Sequence, residues 1–129
     1  MLDFNIIFEF AEKNFSSKPE YLWRKSPDTA VLRNNKNKKW YAIIMKVAKK
    51  KLGIDEIGDT QILNLKLDPI MISSLVNKEG FYPAYHMNKE HWISIDLNNK
   101  KLIDNEILSL IRLSFEIVDN SKFISRLEN

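Results

Sequence analysis

The sequence predicts an α+β domain: an antiparallel β-sheet of about five or six strands with helices packed mainly on one face. Three observations predict it. Both ends of the chain carry apolar residues at helical spacing, the segments between them are strand-like, and hairpin-length turns join those segments. The 129 residues, 44% of them hydrophobic, fit one core, so we treat residues 1–129 as a single domain.

The amino-terminal segment has the pattern of an amphipathic helix. Phe4, Ile7, Ala11 and Phe15 recur at intervals of three and four residues, with charged residues between them. This spacing predicts a helix from residue 3 to about residue 15. The helix should end at Ser16–Pro19, because proline disfavours helix in the residue before it and cannot continue one.

The next segment is predicted to form strands joined by tight turns. Tyr21–Trp23 is predicted as a short strand, Ser26–Asp28 as a turn and Thr29–Arg33 as a second strand. Asn34–Lys38 supplies residues that tolerate positive φ, as a hairpin connection requires. Trp40–Val47 is apolar on both faces, which is typical of a central strand.

The middle of the chain is predicted to contain a loop, a strand and a helix start. Residues 49–60 are expected to form an exposed loop. In Ile62–Leu67 the leucines alternate with Asn64 and Lys66, which predicts a strand with one buried and one solvated face. Asp68-Pro69 predicts a helix start, with aspartate as the N-cap and proline at the first helical position.

The last third of the chain predicts two more strands and a closing helix. Phe81–Tyr85 and His91–Leu97 are the predicted strands, and the second of them ends at the turn Asn98–Lys100. From Asp104 to Asp119, apolar residues recur at helical spacing and predict a helix with one core-facing stripe.

Composition limits the classes of function. The chain has no cysteine, which excludes disulfides, thiolate metal sites and cysteine nucleophiles. Its longest apolar run is the six residues Trp40–Met45, too short for a membrane span, and its first residues lack the pattern of a secretory signal. We expect a cytoplasmic protein without a membrane partner.

Motifs for catalysis, metals and cofactors are missing. Glycine occurs three times in the chain, and the sequence has neither a phosphate-binding loop nor a nucleophile elbow. A Ser94–His86–Asp96 triad is formally possible, but the first and last alternate with isoleucines and are predicted to face solvent. The spacing of His86 and His91 matches no recurrent zinc site. We expect no enzyme, no metal and no cofactor.

The charge of the chain is concentrated in one segment. The net charge is +3, but the segment from Arg24 to Lys51 has ten basic residues and one acid, Asp28. A basic segment of this kind is either a solvated surface or a contact for phosphates. We predict that nine of its residues contact nucleic acid: Arg24, Lys25, Arg33, Lys36, Lys38, Lys39, Lys49, Lys50 and Lys51.

The most distinctive sequence is the run Pro83-Ala-Tyr-His-Met-Asn-Lys-Glu-His-Trp92. Two interpretations stay open for its polar and aromatic residues. They form a ligand site, or they form the turn between two strands, with Met87 and Trp92 in the core. The residues concerned are Tyr85, His86, Asn88, Lys89, His91 and Trp92.

This run resembles the signature of the MmcQ/YjbR family, Pro-Gly/Ala-Tyr-His-Met-Asn-Lys-x-His-Trp. The strand Leu63–Leu67 with its Asp-Pro helix start, and the segment Ser114–Val118, are similar to other parts of the family pattern. The resemblance implies an α+β domain like the frataxin/CyaY fold and like the "double wing" domain of a phage transcription factor. It also implies DNA binding, as members of the family are commonly described.

The sequence therefore leads to one main functional expectation and one alternative. We expect a non-enzymatic module that binds DNA through its basic segment, mainly by backbone contacts and with weak sequence specificity, because arginine is scarce there. The alternative is a protein-interaction or small-ligand module that uses the hairpin Pro83–Trp92.

Overall fold

The computed structural model describes the backbone of residues 2–128 and the side chains of residues 2–120. Three α-helices and five β-strands form within this part of the chain. In chain order the elements are α1 (Phe4–Phe15), β1 (Ala30–Arg33), β2 (Trp40–Ala48), a short 3-10 helix (Lys49–Leu52), β3 (Asp59–Lys66), α2 (Pro69–Leu75), β4 (Phe81–Pro83), β5 (Trp92–Asp96) and α3 (Asp104–Glu128).

The five strands form one antiparallel sheet in the order β1-β2-β3-β5-β4, which confirms the predicted α+β class. Strand β2 pairs with strands on both sides, as its apolar composition predicts. Its pairing with β1 begins at Ala30 opposite Ile44. Met45–Ala48 therefore have a strand neighbour only on the β3 side.

The helices pack on one face of this sheet, which we call the helix face. Ile7 and Ala11 of α1 and Ile107 and Ile111 of α3 are buried there against alternate residues of the strands. Ser114 of α3 adds a polar link between the layers. Its hydroxyl donates to the carbonyl oxygen of Tyr41 at 2.5 Å and accepts from the backbone N–H of Lys66 at 2.9 Å.

The predicted bounds of α1 and the predicted start of α2 agree with the observed ones because each has a local cap. The Asp3 carboxylate accepts from the N–H of Ile6 at 2.9 Å, and Ser16 ends α1 in the left-handed conformation with φ 56°. The Asp68 carboxylate accepts from the N–H of Ile70 at 2.9 Å, and Pro69 occupies the first position of α2. The predicted end of the last helix at Asp119 was wrong: α3 continues to Glu128, and no glycine or proline follows Asp119 to end it.

Two predictions for the front half were wrong in part. Tyr21–Trp23 forms no strand: pairing on the outer side of β1 is limited to one bridge, between Glu20 and Val31. The four residues of β1 offer too short an edge for a further ladder. The predicted loop 49–60 contains the 3-10 helix and, from Asp59 onward, the start of β3.

Gly80 precedes β4 and cannot be replaced without strain. It has φ +92°, and a Cβ there would lie 2.8 Å from Cδ2 of Leu102. Gly53 has φ +82°, and a Cβ added to it would meet no atom within 4 Å.

We expect replacement of either glycine by alanine to lower the free energy of unfolding by about 1–2 kcal/mol, because alanine is strained in the left-handed conformation. Gly80→Ala should cost a further ~1–3 kcal/mol from overpacking. Urea unfolding measures both, and equal losses would contradict the packing argument.

Tyr41 predicts a stability change at high pH. Burial raises the pKa of its hydroxyl from 10.0 to about 12. The folded protein therefore holds this proton more tightly than the unfolded chain. Stability is retained below pH 10 and falls as the pH rises from 10 towards 12.

Tyr41→Phe should flatten this fall, because it removes the titrating group. It should cost little at neutral pH, because the buried hydroxyl has no hydrogen-bond partner within the described residues. Urea unfolding across this pH range makes the comparison. Tyr21→Phe, at an exposed tyrosine, is the control and should keep the wild-type pH dependence.

Candidate nucleic-acid interface

The face of the sheet opposite the helices, which we call the second face, is covered by the segment 84–91. This segment leaves the edge strand β4, passes back over the sheet and returns at β5. Ala84 and Met87 of the segment pack in a small apolar cluster with Val31, Ile43 and Trp92. The cluster gives the second face a core of its own.

A chain of hydrogen bonds fixes segment 84–91 to the sheet. The backbone N–H of Tyr85 donates to the Ser94 hydroxyl at 2.9 Å, and that hydroxyl donates in turn to Oδ1 of Asn64. Nδ2 of Asn64 lies 3.6 Å from the thioether sulfur of Met45. Asn64 and Ser94 are both 0% exposed. The sequence-based prediction that they face solvent was wrong, because alternation assigns a face but not what covers it.

Asp96 lies in a second polar cluster on the same face. Its Oδ1 accepts from the Thr60 hydroxyl at 2.5 Å and from the backbone N–H of Asn98 at 3.0 Å, and Nδ2 of Asn98 donates to the Thr60 hydroxyl at 2.8 Å. The prediction that Asp96 faces solvent was also wrong, since the residue is buried. These partners give it a structural role in joining β3 to β5.

Several residues of the distinctive run build its turn. The Asn88 side-chain oxygen Oδ1 accepts from the N–H of Glu90 at 2.8 Å, and the Asn88 backbone carbonyl oxygen accepts from the N–H groups of His91 and Trp92. Nζ of Lys89 donates to the carbonyl oxygen of Ala84 at 3.0 Å. Asn88 and Lys89 therefore help to form the turn, and Trp92 is buried in the core. For these three residues the structure agrees with the turn interpretation.

Tyr85 and His86 are placed differently, beside an open cavity. His86 has φ 58° and is exposed, and its ring centroid lies 4.0 Å from that of Tyr85. A cavity of about 330 Å³ lies between these rings and the loop 23–29. Its lining residues are Trp23, Ser26, Thr29, Trp40, Ile43, Met45, Asn64, Tyr85, His86 and Met87.

A second cavity, of about 400 Å³, continues the first along β2. The two share five lining residues: Ser26, Thr29, Met45, Tyr85 and His86. We call the pair the second-face groove. Its first part is aromatic. Its second part is lined by the free edge of β2 at Met45–Ala48, by Lys25 and Asp28 of the loop, and by Asp59.

The structure divides the nine predicted cationic contacts among three places. Arg24 and Lys25 lie on the exposed loop at the groove. Lys36, Lys38 and Lys39 lie on the β1–β2 turn, and Lys49, Lys50 and Lys51 lie in the 3-10 helix at the other end of β2. The length of β2 separates these two ends by roughly 26 Å. Arg33 lies at the end of β1.

Two of these cations are already paired. Nε of Arg33 lies 3.0 Å from a Glu20 carboxylate oxygen, and its guanidinium lies 5.8 Å from the centroid of the Trp40 ring. Nζ of Lys49 lies 3.1 Å from a carboxylate oxygen of Glu56. Arg24 and Lys25, in contrast, have no ion-pair partner within the described part of the chain.

The turn that carries Lys36 and Lys38 is held by asparagine side chains. The Asn34 carboxamide donates to the Asp119 carboxylate at 2.7 Å, and that of Asn37 donates to the carbonyl oxygen of Val118 at 2.8 Å. Nδ2 of Asn35 donates to the carbonyl oxygen of Ser16 at 2.7 Å. The turn is therefore bound to the end of α1 and to residues 118–119 of α3, and its lysines project from a fixed base.

Comparison with known families identifies the architecture. The family model described as YjbR matches residues 16–117, which include the whole sheet and segment 84–91. This chain belongs to the YjbR family. The uncharacterized YjbR-family protein YyaQ of Bacillus subtilis is 44% identical over 117 residues, which cover 91% of this chain and 98% of YyaQ.

Solved structures share the fold. A Pseudomonas syringae protein has 42% sequence identity to this chain, and its crystal structure superposes with a TM-score of 0.86, covering 90% of this chain and 98% of that one. Its solution structure gives a TM-score of 0.81. Deinococcus radiodurans DR2400, at 20% identity and a TM-score of 0.70, covers 92% of this chain and 79% of its own and shows the fold alone.

Two other kinds of site have no candidate among the described residues. None of the helices described is long and apolar enough to cross a bilayer. No three or more His, Asp or Glu side chains come together there as a metal site.

Sequence reasoning missed most of the groove of this YjbR-family protein. It assigns Trp23 to a strand and Asn64 to a solvated face. From the sequence, Met45 is only one residue of an apolar run, and Lys46 is only one of the basic residues between Arg24 and Lys51. Neither was predicted to lie at the groove. One signal was available for Asn64: asparagine is disfavoured in strands, so its presence in an otherwise leucine-rich one indicates a specific polar partner.

Removal of the Ser94 hydroxyl should lower the free energy of unfolding more than removal of an exposed hydroxyl. Ser94→Ala leaves the N–H of Tyr85 and Oδ1 of Asn64 without partners, so we expect a loss of about 1–3 kcal/mol of unfolding free energy. Amide hydrogen exchange at Tyr85 should accelerate. Ser73→Ala, at an exposed hydroxyl of α2, is the control and should change stability by less than about 0.5 kcal/mol. Equal stability of the two variants would contradict the role of the chain of hydrogen bonds.

Proposed function

We propose that this protein is a non-enzymatic nucleic-acid-binding module whose contact surface is the second-face groove and its basic margins. One observation carries the proposal. Arg24 and Lys25, two exposed cations without ion-pair partners within the described residues, lie on the loop beside a concave surface lined by aromatic rings. Cations that follow the sugar-phosphate backbone, next to rings on which bases stack, are the usual components of nucleic-acid grooves.

The charge around the groove supports this proposal. Residues 20–59 form the loop, β1, β2 and the 3-10 helix, and they contain ten basic and five acidic residues. The rest of the chain contains ten basic and twelve acidic residues. The flank of the sheet that carries the groove is therefore positive, whereas the remainder of the molecule is slightly negative. A polyanion would approach the molecule on this side.

The same charges limit the affinity and specificity of the proposed contact. Asp28 and Asp59 line the groove, and Arg33 and Lys49 are partly neutralised by their glutamate partners. Lysine also outnumbers arginine on this flank, and arginine is the side chain best suited to guanine edges. Binding should therefore depend on phosphates, vary strongly with salt and discriminate weakly between sequences.

Fluorescence anisotropy with a labelled oligonucleotide across about 50–200 mM salt tests the proposal. The wild-type protein should bind with an affinity that falls as salt increases. The double variant Arg24→Gln/Lys25→Gln should bind more weakly. Its slope of log affinity against log salt should be smaller by about 0.7–0.9 for each phosphate contact removed.

A matched control removes the same charge from the helix side of the molecule. Lys13 of α1 and Lys100 of the β5–α3 turn are both exposed. Lys13→Gln/Lys100→Gln should leave both the affinity and the salt slope close to those of the wild type. Absence of salt-dependent binding by the wild-type protein would overturn the proposal. Equal effects of the two double variants would show that net charge, and not the groove, attracts the ligand.

A further inference from the structure

We infer that the aromatic part of the second-face groove holds an unpaired base, so that the preferred ligand is a single strand and not a duplex. This inference rests on the proposed function and adds to it the form of the nucleic acid. It starts from Asn64, a buried polar residue among those that line the cavity.

One N–H of the Asn64 carboxamide has no hydrogen-bond partner within the described residues, and Asn64 is one of the residues that line the cavity. Its Oδ1 accepts from the Ser94 hydroxyl, which itself accepts from the N–H of Tyr85, and this order assigns the orientation of the amide. The amide nitrogen has two N–H donors, and its contact is the thioether of Met45 at 3.6 Å. A thioether is a weak acceptor, so a buried strong donor at the cavity favours a ligand with a good acceptor atom.

The walls of the cavity favour a flat ligand. Trp23 and Trp40 pack edge to face with ring centroids 5.8 Å apart, and the ring pair of Tyr85 and His86 lines the same cavity. Trp23 is 40% exposed although it is a large apolar side chain on a loop. A planar group on such rings removes their faces from water, and each base stacked on an aromatic side chain contributes about 1–3 kcal/mol.

A nucleobase meets both requirements at once. Every base is planar and carries at least one hydrogen-bond acceptor at its edge, such as O4 of thymine. The volume of about 330 Å³ is at the small end for a ligand pocket, which suits one base better than a larger group. Lys25 lines the adjoining cavity, where the phosphates that flank the inserted base would lie.

A duplex does not present its bases in this way. A paired base has its edge engaged and its faces stacked, so it enters a pocket only after unpairing and unstacking, at a cost of a few kcal/mol. A single strand avoids this cost. Both forms still offer phosphates to Arg24 and Lys25, so both should bind, with the single strand binding more tightly.

The test compares a labelled oligothymidylate with its duplex by anisotropy at low salt. Trp23→Ala should weaken single-strand binding about 5- to 150-fold, the loss of one stacked base, and leave duplex binding unchanged. Tyr85→Ala should act in the same way. It keeps the bond to Ser94, because that bond comes from the Tyr85 backbone.

Tyr21→Ala is the matched control. Tyr21 lies on the same loop and is 57% exposed, but it lines a different cavity, next to Phe4 and Phe8. This variant should bind both ligands like the wild type. Urea unfolding of each variant checks that the fold is retained.

The outcomes separate this inference from the proposed function. Tighter single-strand binding that Trp23→Ala and Tyr85→Ala weaken, and Tyr21→Ala does not, supports the inference. Equal, salt-dependent binding of both ligands, unaffected by Trp23→Ala, overturns it and leaves the proposed function in place. No binding of either ligand overturns both. Thymidine monophosphate that competes as strongly as the oligonucleotide also overturns it, because the ligand would then be a free nucleotide.

Discussion

The hydrogen-bond chain from Tyr85 through Ser94 to Asn64 is the interaction on which the second face depends. The apolar cluster of this face is small, with Val31, Ile43, Ala84 and Trp92 as its buried members. A cluster of that size leaves segment 84–91 in need of a polar attachment to the sheet. Because the attachment uses the Tyr85 backbone, the Tyr85 ring remains free to line the groove. The same hydrogen bonds therefore attach segment 84–91 to the sheet and position the Tyr85 ring at the candidate site.

The sequence predicted the elements whose signals are local. The structure confirms α1, the existence and start of α3, the Asp68-Pro69 helix start and the asparagine-rich turn, because periodicity and caps act over a few residues. Tyr21–Trp23 did not become a strand, because a strand needs a partner edge and β1 is four residues long. The availability of that edge depends on distant parts of the chain and leaves no mark in the segment itself.

The sequence predicted some of the residues of the candidate site but not how they are arranged. The sequence indicated the basic segment and the run that contains Tyr85 and His86, and the structure places Lys25 with those two rings at one groove. It places Lys49–Lys51 directly after Ala48 at the end of that groove, separates them from the turn lysines by the length of β2, and assigns Asn88 to a turn. Burial of Asn64 was not predicted, since the alternation along β3 does not reveal that segment 84–91 returns over it. Coverage of a sheet face is a property of the chain path, which periodicity does not encode.

The asparagine bonds of the β1–β2 turn also affect how any ligand must adapt. Asn35 binds the end of α1, and Asn34 and Asn37 bind α3, so the turn lysines cannot swing independently of the helices behind them. The lysines at the two ends of β2 are therefore held at a fixed distance from each other. A flexible polyanion that spans the two ends has to adopt that spacing. The conformational entropy lost on binding is therefore that of the ligand and not that of the protein.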